Sequence, residues 1–228
     1  MSATTPPLLA DRVDSIAGQQ DIDKMLKIEL PPTSTGLRKY HMYYTTSRFN
    51  ARLHPVSKAH PAAYYFETNT SHTTPQFLLR RGDSKTSPMV NFARLKTSTR
   101  HILVGKGDFR NQPEGELVYE ELRRDKNLMH RSDYQFGTAK GDADGRRADF
   151  GWRKNREMRG KTVYECLDEK GLVAATFASG GVFNWKKGAE IEVRKGLEQG
   201  LEEFLLMTAL AIWAMEGRDL HSLFSGFK

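Results

Sequence analysis

Six basic side chains carry the chemistry this sequence offers most openly: Arg80, Arg81, Arg94, Lys96, Arg100 and Lys106. All six lie in residues 37–110, which hold thirteen basic and three acidic groups, a net +10 against +7 for the whole 228-residue chain. Residues 1–36 carry −2 and residues 111–228 carry −1, so an anionic partner is drawn to the middle segment. Arg94 and Lys96 are two apart, so on a strand they project from one face. An arginine fork beside a mobile lysine charge suits a phosphate approaching from outside a sheet. A continuous patch of Arg80, Arg94, Lys96 and Arg100 would mark lipid or nucleic acid. Dispersal of these side chains would favour a protein partner.

Other reactive residue types lead less far. Arg146, Arg147, Arg153, Lys154, Arg156, Arg159 and Lys161 form a second basic group, but Asp142, Asp144, Asp149 and Glu157 interleave with it and weaken its field. Trp152 either stacks on a base or headgroup or, with Phe150, fills a core; the core role is preferred. Gly105-Lys106-Gly107-Asp108 lacks the glycine spacing and ending of a phosphate-binding loop. Asp142 and Asp144 are spaced like the start of a calcium loop, yet Arg153 stands where the closing glutamate belongs. The histidines (41, 54, 60, 72, 101, 130 and 221) form no zinc-hydrolase motif, and Ser179 sits in no nucleophile elbow. Cys166, the one cysteine, cannot form an internal disulfide, and strand alternation with Tyr164 reads it as a buried thiol. No catalytic group, metal or cofactor is expected.

What positions these residues is organised around Phe204–Met215, where eleven of twelve residues are apolar. Strong helix formers dominate it, Glu202 and Glu203 suit the positive end of its dipole, and Gly217-Arg218 reads as a stop. At 1.5 Å per residue it reaches roughly 18 Å, short of the ~30 Å of a bilayer core. A helix spanning about 198–216 and buried on every side is the better reading. The rest of the chain offers short strands to cover it: Tyr40–Thr45, Ala63–Glu67, Gln76–Arg81, Met89–Leu95, His101–Gly105, Glu116–Leu122, Tyr134–Phe136, Ala148–Arg153, Thr162–Leu167, Leu172–Phe177 and Ala189–Arg194, with Phe183–Trp185 touching the wall they form. A mainly-β fold follows, a closed antiparallel β-barrel of ten or so short strands around a buried C-terminal helix, with a two-layer α+β fold as competitor. Residues 1–36 read as a flexible or partly ordered leader, 37–217 as the barrel domain and 218–228 as a tail. No signal-like apolar run opens the chain, so a cytoplasmic or nuclear placement is the default.

The series Phe150-Gly151-Trp152-Arg153, Tyr164, Leu172-Val173-Ala174, the alternating Ala189–Val193 strand and the Leu201–Trp213 helix resembles the fungal branch of the tubby C-terminal-like superfamily. LURP-one-related proteins and phospholipid scramblases are its more distant relatives. The resemblance covers about 37–217 and implies a twelve-stranded barrel around a central hydrophobic helix. It also implies phosphoinositide recognition by strand-borne basic residues, for which Arg94 and Lys96 are the nearest match by type. The expected function is a noncatalytic binding or scaffolding domain whose partners are anionic membrane lipids, with peripheral membrane placement. The alternative is a protein–protein interaction module meeting its partner through loops such as 46–62 or 123–133. Specific nucleic-acid binding is not expected.

Overall fold

The computed structural model describes residues 36–46, 50–69, 74–96, 99, 101–113, 117–125, 133–139, 146–155, 162–179 and 187–225. Within them, segments of alternating apolar and polar residues form twelve strands: β1 (Leu37–Tyr44), β2 (Ala51–Pro55), β3 (Tyr64–Thr68), β4 (Phe77–Arg81), β5 (Met89–Leu95), β6 (Ile102–Lys106), β7 (Tyr119–Arg124), β8 (Tyr134–Ala139), β9 (Arg147–Asn155), β10 (Thr162–Asp168), β11 (Val173–Ser179) and β12 (Lys187–Arg194). Each pairs antiparallel with its neighbours in sequence, and β1 pairs with β12, so the sheet closes into a barrel. Closure leaves no sheet edge to pair with another chain. Among the described residues one α-helix, α1 (Gln199–Ser225), lies near the barrel axis, and a single 3-10 turn forms at Phe109–Asn111.

Alternation decides which side chains face that helix. Phe66, Phe77, Ile102, Trp152, Tyr164 and Phe177 point inward and are fully buried, as are Phe204, Leu206 and Leu210 of α1. Every residue from Leu201 through Ile212 is buried, which is why the segment shows no polar stripe. Thr208, its one hydroxyl, is satisfied twice: Trp152 Nε1 donates to Thr208 Oγ1 at 3.0 Å, and Oγ1 donates to the Leu205 carbonyl at 2.9 Å. Trp152 and Phe150 are therefore core residues, Phe150 stacking on Phe136 at 5.4 Å between centroids. Outside the barrel a small second cluster, Leu78, Met89 and Phe92, is covered by Phe109, Leu117 and Tyr119. Gly105 lies between Phe92 and Tyr119 in register. A Cβ there would fall 2.2 Å from Phe92 Cζ, so only glycine lets the ring cross β6.

The two ends of the barrel differ. The turn after β12 feeds α1 into the end formed by the start of β1 and the ends of β4, β6 and β10. There the Glu198 carboxylate accepts the Leu201 N–H at 3.1 Å and caps a first-turn donor. At the same end Gly171 takes φ +74° in the β10–β11 hairpin, while Asp168 accepts the N–H groups of Lys170 and Leu172 at 3.0 and 2.9 Å.

Two expectations need correction. The helix does not stop at Gly217-Arg218 but runs to Ser225, so residues 218–225 are helical backbone and not a tail. One interior glycine costs about 1 kcal/mol relative to alanine, too little to end a helix whose preceding turns are held by packing. The polar connection expected after β1 also contains a strand, β2, which Ala51 and Leu53 hold by facing the core. The segments Phe183–Trp185, Gly141–Gly145 and 1–35 lie outside the described residues.

Candidate functional site

Three adjacent strands place the Arg94–Lys96 pair. Ala93 faces inward and is fully buried, so Arg94 faces outward and is exposed. In register, Arg94 lies beside Leu103 of β6, which lies beside Glu121 of β7. Glu121 is the hub of this wall. Lys96 Nζ donates to its Oε1 at 2.8 Å, His101 Nδ1 lies 3.2 Å from the same oxygen, and Arg123 Nε donates to Oε2 at 3.0 Å. The Lys96 hydrogen bond, then those of His101 and Arg123, hold the Glu121 carboxyl down to about 2. Arg94 makes no ion pair among the described residues, and Lys96 and Arg123 stay 44% and 72% exposed. One carboxylate thus serves three partners, Lys96 and Arg123 among them, while the Arg94 guanidinium stands open: a wall with positive charge to spare.

The remaining candidates are not part of that wall. Arg80 faces outward but is buried, its Nε on Glu67 Oε2 at 3.2 Å and its Nη1 on the Ser87 carbonyl at 3.1 Å. Arg81 shares the inward phase of Phe77 and Leu79 and reaches α1 at the helix-bearing end. Its Nε donates to Glu203 Oε1 at 2.8 Å and its Nη2 to Oε2 at 3.1 Å. Lys106 sits at the same end with its ammonium 5.3 Å from the Phe204 ring centre, a cation–π contact. Arg100 lies outside the described residues. The candidates are therefore dispersed around and within the barrel.

At the helix-bearing end the structure assembles residues that sequence reasoning did not join. Glu202 and Glu203, side chains 6% and 5% exposed, each meet a strand arginine and a strand tyrosine. Arg38 Nη1 straddles Glu202 at 3.0 and 2.8 Å, and Tyr40 Oη donates to Glu202 Oε1 at 2.5 Å. Tyr64 Oη donates to Glu203 Oε1 at 3.3 Å. The rings of Tyr40 and Tyr64 meet edge to face at 5.8 Å. Burial, and then the adjacent carboxylates, push both phenols well above the usual tyrosine range. The Glu203 hydrogen bond raises Arg81, and the Tyr40 hydroxyl and Glu202 charge raise Arg38. Both carboxylates being engaged, the arrangement holds α1 in place rather than waiting for a substrate. Strand phase was the available signal: Arg38 alternates with Tyr40 and Met42, and Arg81 with Leu79, so both point at the helix.

No group of three or more His, Cys, Asp or Glu side chains among the described residues is arranged to hold a metal ion. His41 lies 3.2 Å from Glu190, and His54 Nδ1 lies 2.7 Å from the His60 carbonyl. Cys166 is fully buried, and burial pushes its thiol well up, away from the thiolate. No helix among the described residues is long and apolar enough to cross a membrane. What the described residues present is a barrel and helix without a metal or reactive-cysteine centre, in keeping with a noncatalytic structural domain. Comparison with protein families, characterised proteins and solved structures finds no match.

Proposed function

We propose that this barrel is a noncatalytic binding domain whose outer β5–β7 wall recognises anionic phospholipid headgroups, phosphoinositides among them. The observation that carries the reading is the imbalance at Glu121: Lys96, His101 and Arg123 share it while Arg94 stands open beside them. A headgroup phosphate there meets an arginine fork and a lysine whose donors are not all used. The resemblance of the sequence to the tubby-like superfamily supports the same ligand class. Because Arg80 and Arg81 are spent on glutamates, only a few contacts are available, each worth about 1 kcal/mol near an anionic surface. Binding is therefore weak and salt-sensitive, suited to a peripheral role at a cytoplasmic membrane face. The dispersal of the candidates favours a second reading, a protein-interaction module without lipid binding.

Liposome co-sedimentation over a salt series tests this, comparing neutral, phosphatidylserine and phosphoinositide vesicles with wild type and the R94A/K96A double variant. Selective binding at low salt, lost in the variant, supports the headgroup reading. Binding to every anionic vesicle alike, abolished by modest salt, shows only the +10 field of residues 37–110. No binding at low salt rejects the lipid reading in favour of the protein partner.

A further inference from the structure

In a closed barrel whose strands run alternately up and down, the connections fall alternately at its two ends. Six join strands at the end opposite the one α1 enters: 45–50, 69–76, 96–101, 125–133, 156–161 and 180–186. Their sequences hold nine basic and three acidic residues, a net +6. The connections at the helix-bearing end are 56–63, 82–88, 107–118, 140–146, 169–172 and 195–198. These hold seven basic and eight acidic residues, a net −1. The barrel is therefore polarised along its axis. Arg94 and Arg123, near the ends of β5 and β7, stand at the basic pole beside Lys96.

That pole is also where α1 leaves the barrel. The Trp213 ring lies 5.7 Å from that of Tyr44, the last residue of β1, and Lys154, next to last in β9, reaches Glu216 at 3.3 Å. Helical backbone continues to Ser225, nine residues past Glu216, or about 13 Å. In the sequence of these turns Leu220, Leu223 and Phe224 stand three and four apart, which places them on one face of the helix. Trp213 and Tyr44 are half-buried at the rim, each an apolar body with a polar edge. Apolar spacing within a ring of cations matches the layers of an anionic bilayer, charged at the headgroups and apolar beneath them. A nucleic acid offers the charge without the apolar layer.

We propose that the barrel docks end-on to an anionic bilayer through this pole. The end of α1 reaches the boundary between headgroups and acyl chains, and the cations ring it. The proposal rests on the headgroup reading and adds to it an orientation and an apolar anchor. Charge draws the pole to the surface, and the anchor supplies the part of binding that salt does not screen.

An environment-sensitive nitrobenzoxadiazole label on the full chain reads the orientation, attached through F224C or, at the other pole, through K170C in the exposed β10–β11 turn. Cys166 is fully buried and stays unlabelled. On phosphatidylserine vesicles the label at 224 should brighten and shift to the blue, and the label at 170 should not. L223E/F224E should weaken vesicle binding by at least about tenfold and leave the unfolding midpoint in place. Wild type should keep part of its binding at salt that strips this variant. The label comparison stands whatever the variant does to stability. Equal shifts at both labels, a shift at 170 alone, or wild-type vesicle binding by L223E/F224E overturns the end-on proposal and leaves the headgroup reading standing. Tighter capture of a single-stranded oligonucleotide than of vesicles assigns the pole to nucleic acid and overturns it too. No binding to anionic vesicles at low salt ends both readings.

Discussion

Glu121 is held near pH 2, against 4.5 for an unperturbed glutamate, because its charged form receives Lys96, His101 and Arg123. A depressed carboxylate stabilises the folded state above its unfolded value and loses that contribution as pH falls through the folded one. The excess stability of wild type over E121Q should therefore be complete above about 4.5 and shrink steadily toward pH 2. Urea midpoints for both proteins across that range check it, and parallel acid profiles would refute it. The glutamates of α1 give an asymmetric forecast. Glu203 is buried and Arg81 is half exposed, so the two deletions strand unlike groups. E203Q leaves a guanidinium that water can reach, at about 1–2 kcal/mol. R81A leaves a buried carboxylate with only Tyr64 and Gln199 as side-chain donors among the described residues, at about 3–5 kcal/mol. Chemical denaturation that ranked E203Q above R81A would contradict this account of the latch. Arg81 was visible in the sequence as a cation, but its partner was not. Charge counting gives a field over a segment, whereas alternation with Phe77 and Leu79 gives a direction, and the direction decides whether a cation faces solvent or the core.

The strands were legible wherever their inward positions are large and apolar, as in Val104–Ile102 or Phe150–Trp152, because period-two alternation survives a single chain. β2 was not, since Ala51, Arg52, Leu53, His54 and Pro55 carry no β-branched residue and end in proline. Its strand state comes from pairing with β1 and β3, which no local pattern announces. The helix was legible by its missing polar face, but its end was not, because Gly217 weakens a helix without stopping one. For α1 the sharpest forecast concerns its one buried hydroxyl. T208V keeps the shape and removes the acceptor of Trp152 Nε1, leaving a fully buried N–H without a partner. The expected loss is about 1–3 kcal/mol, mostly the desolvation of that indole, with no change in fold by circular dichroism. An unchanged unfolding midpoint would mean that water replaces Thr208, and near-ultraviolet dichroism of Trp152 would then shift.

Barrel and helix complete each other. A sheet closed from about eight strands has an interior its own side chains fill, and twelve strands enclose more than that. The inward Phe66 accordingly meets Trp213 of α1 at 6.2 Å between ring centres, and the indole of Trp152 donates to Thr208 of the same helix. Leu201, Phe204, Leu205, Leu206, Met207, Leu210 and Ile212 fill the remainder, all seven buried. At about 1.5–3 kcal/mol for each large apolar side chain, their burial amounts to roughly 10–20 kcal/mol, as much as the 5–15 kcal/mol net stability of an ordinary domain. The helix also follows the last strand, so the β1–β12 closure, which joins Leu37 to Arg194, has a filled core only when the C-terminal segment is in place. Removing the residues after Glu198 should therefore abolish the folded state and not merely shorten it. The truncated chain should lack a cooperative thermal transition, bind a hydrophobic dye and aggregate, whereas R81A, which only loosens the latch, should melt cooperatively at a lower temperature. A truncated protein with a sharp transition and wild-type strand content would show that the sheet packs on itself, and the central helix would then be a passenger in a barrel that needs no filling.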